Sequence, residues 1–214
     1  MYLPIPYKIQ YDTNRFPFRE VIEKILNEDS LEKVHLKDKI ELRIRETDQS
    51  TKWHELYYKN YQDEFNDLYL SFVKHLAESF NYKEIIYQKI PTFRVHQVDN
   101  LGVGEWHKDK TYNHGVNEMN FWLPFTDTYD TNTIWCESKE DLGDYMPYNV
   151  KYGEVLVFSG ANLMHGNKIN ETEDTRMSAD FRLVDPSVFV SSEGGSINKK
   201  ISFNIGGYFE KMTL

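Results

Sequence analysis

The chain has 214 residues, a hydrophobic share of 40%, an aromatic share of 15% with fifteen Tyr and thirteen Phe, and a formal net charge of −9. That length suits one domain (1–214) around one sizeable core, and the composition argues against disorder. An acidic balance with no Lys/Arg run argues against a nucleic-acid substrate, and the single cysteine, Cys136, excludes an internal disulfide framework and a thiolate zinc site.

In chain order, residues 1–7 carry no basic segment followed by an apolar stretch, so a signal peptide is not expected. No apolar run approaches the roughly 18–20 residues of a membrane helix. A cytoplasmic protein with no membrane partner is the expectation. Phe18, Val21, Ile22, Ile25 and Leu26 recur at helical spacing and predict a first helix. Residues 40–45 alternate and read as a strand. A longer helix is expected over 52–80, where Phe65, Leu68, Tyr69, Phe72, Val73 and Leu76 form one apolar stripe.

After Asn81 the pattern changes to short segments rich in β-branched and aromatic residues, at 84–90, 92–98, 118–124, 132–136, 154–158, 175–184 and 201–209. Gly102, Gly104, Gly115, Gly143, Gly153 and Gly166 punctuate them. Residues 191–200 read as a mobile loop. Helices followed by many short strands give an α+β chain, with 1–83 as mainly helical support and 84–214 as a β sandwich or barrel.

The first chemical candidate is His107-Lys108-Asp109. In an extended segment, positions two apart share a face, so an imidazole and a carboxylate converge on one metal ion. His165, just beyond the strand predicted at 154–158, is the best-placed third ligand. Two histidines and one carboxylate on one side of a metal form the arrangement of non-haem Fe(II) oxygenases. The tripeptide alone is weak evidence, since a surface His beside a surface Asp is commonplace. Arg176, Ser178, Asp180 and Arg182 share one face of the next predicted strand. Such a face is a poor core but a good carboxylate-recognition surface, because guanidinium forks bind carboxylates bidentately. The alternative for this segment is Asp180 pairing with one of the arginines on a solvated strand.

Six blocks in order carry a resemblance that no single one of them would. They are Pro91-Thr92-Phe93-Arg94-Val95-His96; His107-Lys108-Asp109; residues 118–127 around Asn120 and Trp122; residues 131–138 with 152–155; His165-Gly166-Asn167 with Asn170; and residues 175–182. Over 90–186 the chain resembles the phytanoyl-CoA-hydroxylase-like superfamily of Fe(II)/2-oxoglutarate dioxygenases, and within it the streptomycin-biosynthesis-type group.

The resemblance implies a double-stranded β-helix (jelly-roll or cupin-like) core with supporting N-terminal helices. It further implies His107, Asp109 and His165 as iron ligands, Arg176 as partner of the distal 2-oxoglutarate carboxylate, and O2 as co-reactant. The expected reaction is hydroxylation of a small polar metabolite, of natural-product or sugar/amino type, with release of succinate and CO2. Related halogenases lack the carboxylate ligand, so Asp109 favours hydroxylation. Asn120 and Trp122 share a face and are expected to line the cosubstrate pocket; Asn167 and Ser178 are candidates for hydrogen bonds to 2-oxoglutarate. Arg94, His96 and Arg182 are candidates toward substrate, with Arg182 the alternative carboxylate anchor. Competing readings are a non-catalytic β-helix protein binding a small polar ligand and a cupin-like metal enzyme that does not use 2-oxoglutarate.

Overall fold

Phe18, Ile22, Ile25 and Leu26 fall on one side of a 3.6-residue period, and helix α1 (Phe18–Leu26) buries all four. Asn27 ends it in the left-handed region at φ 54°, where its own N–H returns to Lys24 O and that of Glu28 to Glu23 O. The fold is that of a computed structural model describing residues 6–42, 44, 49–195 and 201–214. A short helix α2 (Val34–Lys37) follows.

The helix expected over 52–80 is one helical run in three parts: α3 (Lys52–Asn60), a π-helical turn over Tyr61–Phe65, and α4 (Asn66–Ser79). The wide turn has a reason in the spacing of its core residues. Trp53, Tyr57, Tyr61, Phe65 and Tyr69 are all buried and four positions apart. In a pure α-helix each such step drifts about 40° around the axis, and the wider turn takes up the drift.

Residues 40–45 do not form the expected strand over their described part. The Ile40 N–H donates to Gln97 Oε1 at 2.9 Å, while Ile40 O and Glu41 O accept from Asn100 Nδ2 at 3.2 and 2.9 Å. Side chains thus satisfy the backbone groups that a neighbouring strand would have paired. Residues 43 and 45 lie outside the described residues.

The strands are β1 (Tyr7–Gln10), β2 (Glu84–Gln88), β3 (Thr92–His96), β4 (Met119–Pro124), β5 (Ile134–Cys136), β6 (Met146–Tyr148), β7 (Glu154–Phe158), β8 (His165–Gly166), β9 (Arg176–Val184), β10 (Ser192–Gly195), β11 (Ser202–Phe203) and β12 (Phe209–Thr213). The larger sheet runs β1-β7-β4-β9-β2-β12, with β3 also paired to β9; a second sheet runs β6-β5-β8. The nine-residue β9 serves two partners on one side: Arg176–Asp180 pair with β3, and Leu183 and Val184 pair with β2. Two expectations are corrected. The segment 201–209 is not one strand but β11, a turn and the start of β12. Residues 192–195 of the expected loop are strand β10, paired with β11, and 196–200 lie outside the described residues.

Alternation along the central strands gives the larger sheet two different faces. Phe121, Leu123, Val155, Val157, Ala179 and Phe181 pack on the helices, with Phe181 edge-on to Tyr69 at 5.2 Å between ring centres. Trp122, Leu156 and Phe158 point the other way and meet Ile134, Cys136 and Leu163 of the second sheet side. Two antiparallel sheets facing one another, with helices outside, make an α+β double-stranded β-helix. Among the described residues no helix is long and apolar enough to cross a membrane.

A candidate metal centre

His107 and His165 meet as an antiparallel bridge. The His107 N–H donates to His165 O and the His165 N–H to His107 O, each at 3.0 Å. This pairing brings the two rings to 4.5 Å between centres. Lys108 is extended (φ −107°, ψ 132°), so Asp109 returns to the same side as His107 before the chain tightens into a 3₁₀ turn over Asp109–Tyr112. The Asp109 N–H donates to Gly160 O at 2.9 Å, tying the turn to the loop after β7.

Each imidazole is oriented from behind. His107 Nδ1 lies 3.0 Å from Glu105 O and His165 Nδ1 lies 2.9 Å from Leu163 O. A carbonyl only accepts, so both Nδ1 atoms carry a proton, and both Nε2 atoms are the ones turned toward Asp109. Burial, with His107 beside it, brings the His165 imidazole down to about 4, which keeps it neutral at ordinary pH. For Asp109, burial opposes ionisation, but Arg182, His107 and His165 outweigh it and hold the carboxyl well below the usual carboxylate range.

Asp109 Oδ1 is 3.3 Å from His107 Nε2 and 3.6 Å from His165 Nε2, and the three donor atoms lie within 4.8 Å of one another. Cis ligands about 2.1 Å from one ion sit about 3 Å apart. The donor set of two imidazoles and one carboxylate therefore fits one metal ion.

A cavity opens on the two histidines of this triad, lined by His107, His165, Asn120, Trp122, Arg176 and Asn167 together with Arg94, Asp180, Arg182, Val103, Ile134, Phe158 and Gly166. The register of the larger sheet explains the company. Asn120 lies opposite both Arg182 and Phe158, Trp122 opposite Asp180 and Leu156, and Arg94 opposite Ser178. Period-two alternation turns all of these to the inner face.

Arg176 is 1% exposed. Its Nη1 donates to Ser178 Oγ at 2.8 Å and its Nε to Asn132 O at 3.2 Å, and its guanidinium lies 5.3 Å from the Trp122 ring centre. Asn167 Nδ2 donates to Thr133 O at 3.0 Å. Arg94 Nε pairs with Asp180 Oδ1 at 3.2 Å.

Three other expected site residues are placed as follows. His96 does not face the cavity. It is fully buried behind Arg176, accepting at Nδ1 from Arg176 Nη2 (3.1 Å) and donating from Nε2 to Asn100 O (2.8 Å). Ser178 is equally buried and supports Arg176 instead of lining the cavity. Arg182 does line the cavity, but its Nη2 is committed to Asp109 Oδ2 at 2.7 Å and its Nη1 to Asp180 Oδ2 at 2.9 Å. Asn120 shares that task, its Nδ2 donating to Asp109 Oδ2 at 2.7 Å. Sequence reading missed Gly160, Gln88 and Tyr208, which hold Asn120 and Arg182 in place; only a glycine just beyond a strand, the common mark of close backbone approach, signalled the first of them.

No family model matches the sequence. Over 203 residues the chain is 35% identical to the streptomycin biosynthesis protein StrG of Streptomyces griseus, and the match covers 95% of this chain and 96% of that protein. The chain belongs to the StrG family. That kinship takes in the helical first third and the tail beyond residue 186, which the six motif blocks leave uncovered.

Among solved structures, AviO1 from Streptomyces viridochromogenes Tue57 is similar with a TM-score of 0.50 at 12% identity, covering 87% of this chain and 92% of that one. EctD from S. alaskensis with bound Fe is similar with a TM-score of 0.50 at 11% identity, covering 94% of this chain and 82% of that one. At such identities the likeness is one of fold, and it agrees with the two facing sheets of this StrG-family chain.

Proposed function

We propose that this StrG-family protein is an Fe(II)- and 2-oxoglutarate-dependent oxygenase that hydroxylates a small polar metabolite. The observation that carries this reading is the convergence of His107 Nε2, His165 Nε2 and Asp109 Oδ1, with both histidines lining a cavity that Arg176 also lines. Two imidazoles and a carboxylate on one side of an ion, with the other positions open, favour Fe(II) over a closed structural metal. When bound, iron and 2-oxoglutarate supply the oxidising power: one oxygen atom of O2 goes to the substrate and the other to the succinate formed as CO2 leaves.

The chain's own residues hold and orient. Arg176 is the proposed partner of the far carboxylate of 2-oxoglutarate. A planar fork braced by Ser178, Asn132 O and the Trp122 face presents a fixed positive charge without having to be ordered first. Val103, Ile134 and Phe158 give the cavity an apolar wall that limits water around the ion. Arg94 and Asp180 line the cavity as an ion pair and are the proposed polar contacts for substrate. The biosynthetic role printed in the name of StrG supports a natural-product metabolite as substrate class.

Titration of Mn(II)-loaded protein with 2-oxoglutarate by calorimetry tests the reading. It predicts one-to-one binding that requires the metal and weakens roughly 10- to 100-fold in Arg176→Ala, as loss of a charge-assisted bidentate contact does. Equal binding with and without metal would contradict the chelating role of 2-oxoglutarate.

A further inference from the structure

We infer that Arg182 and Asn120 lock the Asp109 carboxylate so that only Oδ1 is available to the metal, keeping the adjoining coordination positions open. The inference rests on the metal reading above and concerns residues that this reading does not itself use.

The two oxygens of Asp109 have separate surroundings. Oδ1 faces the imidazoles at 3.3 and 3.6 Å, whereas Oδ2 accepts from Arg182 Nη2 and from Asn120 Nδ2, both at 2.7 Å. Neither donor is able to follow a rotating carboxylate. Asn120 Oδ1 accepts from the Gly160 N–H at 3.1 Å, which fixes the amide's sense and leaves Nδ2 to face Asp109. Arg182 Nη1 is held by Asp180 Oδ2 at 2.9 Å, Gln88 Oε1 at 3.1 Å and the Tyr208 hydroxyl at 3.3 Å. Asp109, Asn120 and Arg182 are 3%, 2% and 6% exposed, so a lost hydrogen bond here is not replaced by bulk water.

The consequence follows from counting positions. A six-coordinate ion held by two imidazoles and one carboxylate oxygen has three positions left, enough for a two-point chelate and one further ligand. A carboxylate that swings to bind through both oxygens removes one of them. Nothing in Asp109 itself prevents this, since carboxylates bind metals in either mode. The outer-oxygen donors set the mode, which makes Arg182 and Asn120 positioning residues and not contacts to substrate.

Co(II) in place of iron tests this without turnover, because its visible ligand-field band reports coordination number. In the protein–Co(II) complex without 2-oxoglutarate, Arg182→Met and Asn120→Ala are each expected to shift and weaken the wild-type band. Arg182→Lys is expected to restore it in part. 2-Oxoglutarate is then expected to bind the Arg182→Met and Asn120→Ala proteins about tenfold or more weakly. Asn120→Ala removes no buried charge and decides the matter where Arg182→Met loses its fold by circular dichroism. Bands superimposable on wild type overturn the lock alone, including the case where Arg182 anchors 2-oxoglutarate or merely braces the sheet. Failure of the wild-type protein to take up Co(II) overturns the metal reading and the lock with it.

Discussion

Gly160 touches both Asp109 and its partner Asn120 through its backbone. Its carbonyl accepts from the Asp109 N–H at 2.9 Å and its N–H donates to Asn120 Oδ1 at 3.1 Å. A Cβ at this position would stand 2.5 Å from Asn120 Nδ2, so a side chain displaces the amide that reaches Asp109. Gly160→Ala is expected to lower stability by about 1–3 kcal/mol in a urea melt, as overpacking does, and to weaken metal binding about tenfold. A destabilised variant with wild-type metal affinity would contradict the role given to Asn120. At this scale the readable residues were those that local spacing places: His107 and Asp109 two apart, and the Arg176–Arg182 row on alternate positions. The task of Arg182 was not readable, because it depends on which residue of β4 lies across from it. Asn120 sits opposite Arg182, 62 positions away in the chain, and both reach Asp109 only through that register.

The elements divide labour between the two faces of the larger sheet. Phe72 of α4 is fully buried, with ring centres 5.2 Å from Tyr11, 5.0 Å from Phe16 and 5.1 Å from Phe18. Phe72→Ala is expected to cost about 3–5 kcal/mol by chemical denaturation while the folded fraction keeps its metal affinity, since the cavity opens on the opposite face. A loss below about 1 kcal/mol would contradict the placement of this core.

Among the elements, helices α1, α3 and α4 and the strands rich in β-branched residues were legible because their periodicity is local; the four-residue α2 is too short to show one. Strands β1, β6 and β8 were not, and each for its own reason. β1 is ordered by pairing with β7 across most of the chain, Tyr7 lying opposite Val157. β6 contains Pro147, which argues against a strand interior. β8 has two residues, too few to show a period. The alternation at 40–45 was misleading, because Gln97 and Asn100 supply from their side chains the hydrogen bonds that a partner strand would have given.

Taken whole, the molecule buries one large aromatic core between helices and sheet, while the gap between its two sheets holds a smaller apolar cluster beside the charged groups of the cavity. Such groups are costly to bury unless paired, and here Asp109, Asp180, Arg94 and Arg182 pair with one another around the cavity. The fold class was legible from the order of helices and strands, the pairing of His107 with Asp109 from their spacing, and His165 from its place just beyond a predicted strand. What the sequence did not show was that the Asp109 carboxylate is held by two further side chains whose own supports come from β2, the loop after β7 and the turn before β12.

Joint binding of Fe(II) and 2-oxoglutarate in this cavity can be followed by eye in the absence of oxygen. Adding both to the purified protein is predicted to produce a weak visible charge-transfer band that neither gives alone, that is absent in His165→Ala and reduced in Arg176→Ala. Iron bound stoichiometrically with no band on adding 2-oxoglutarate would contradict that joint binding.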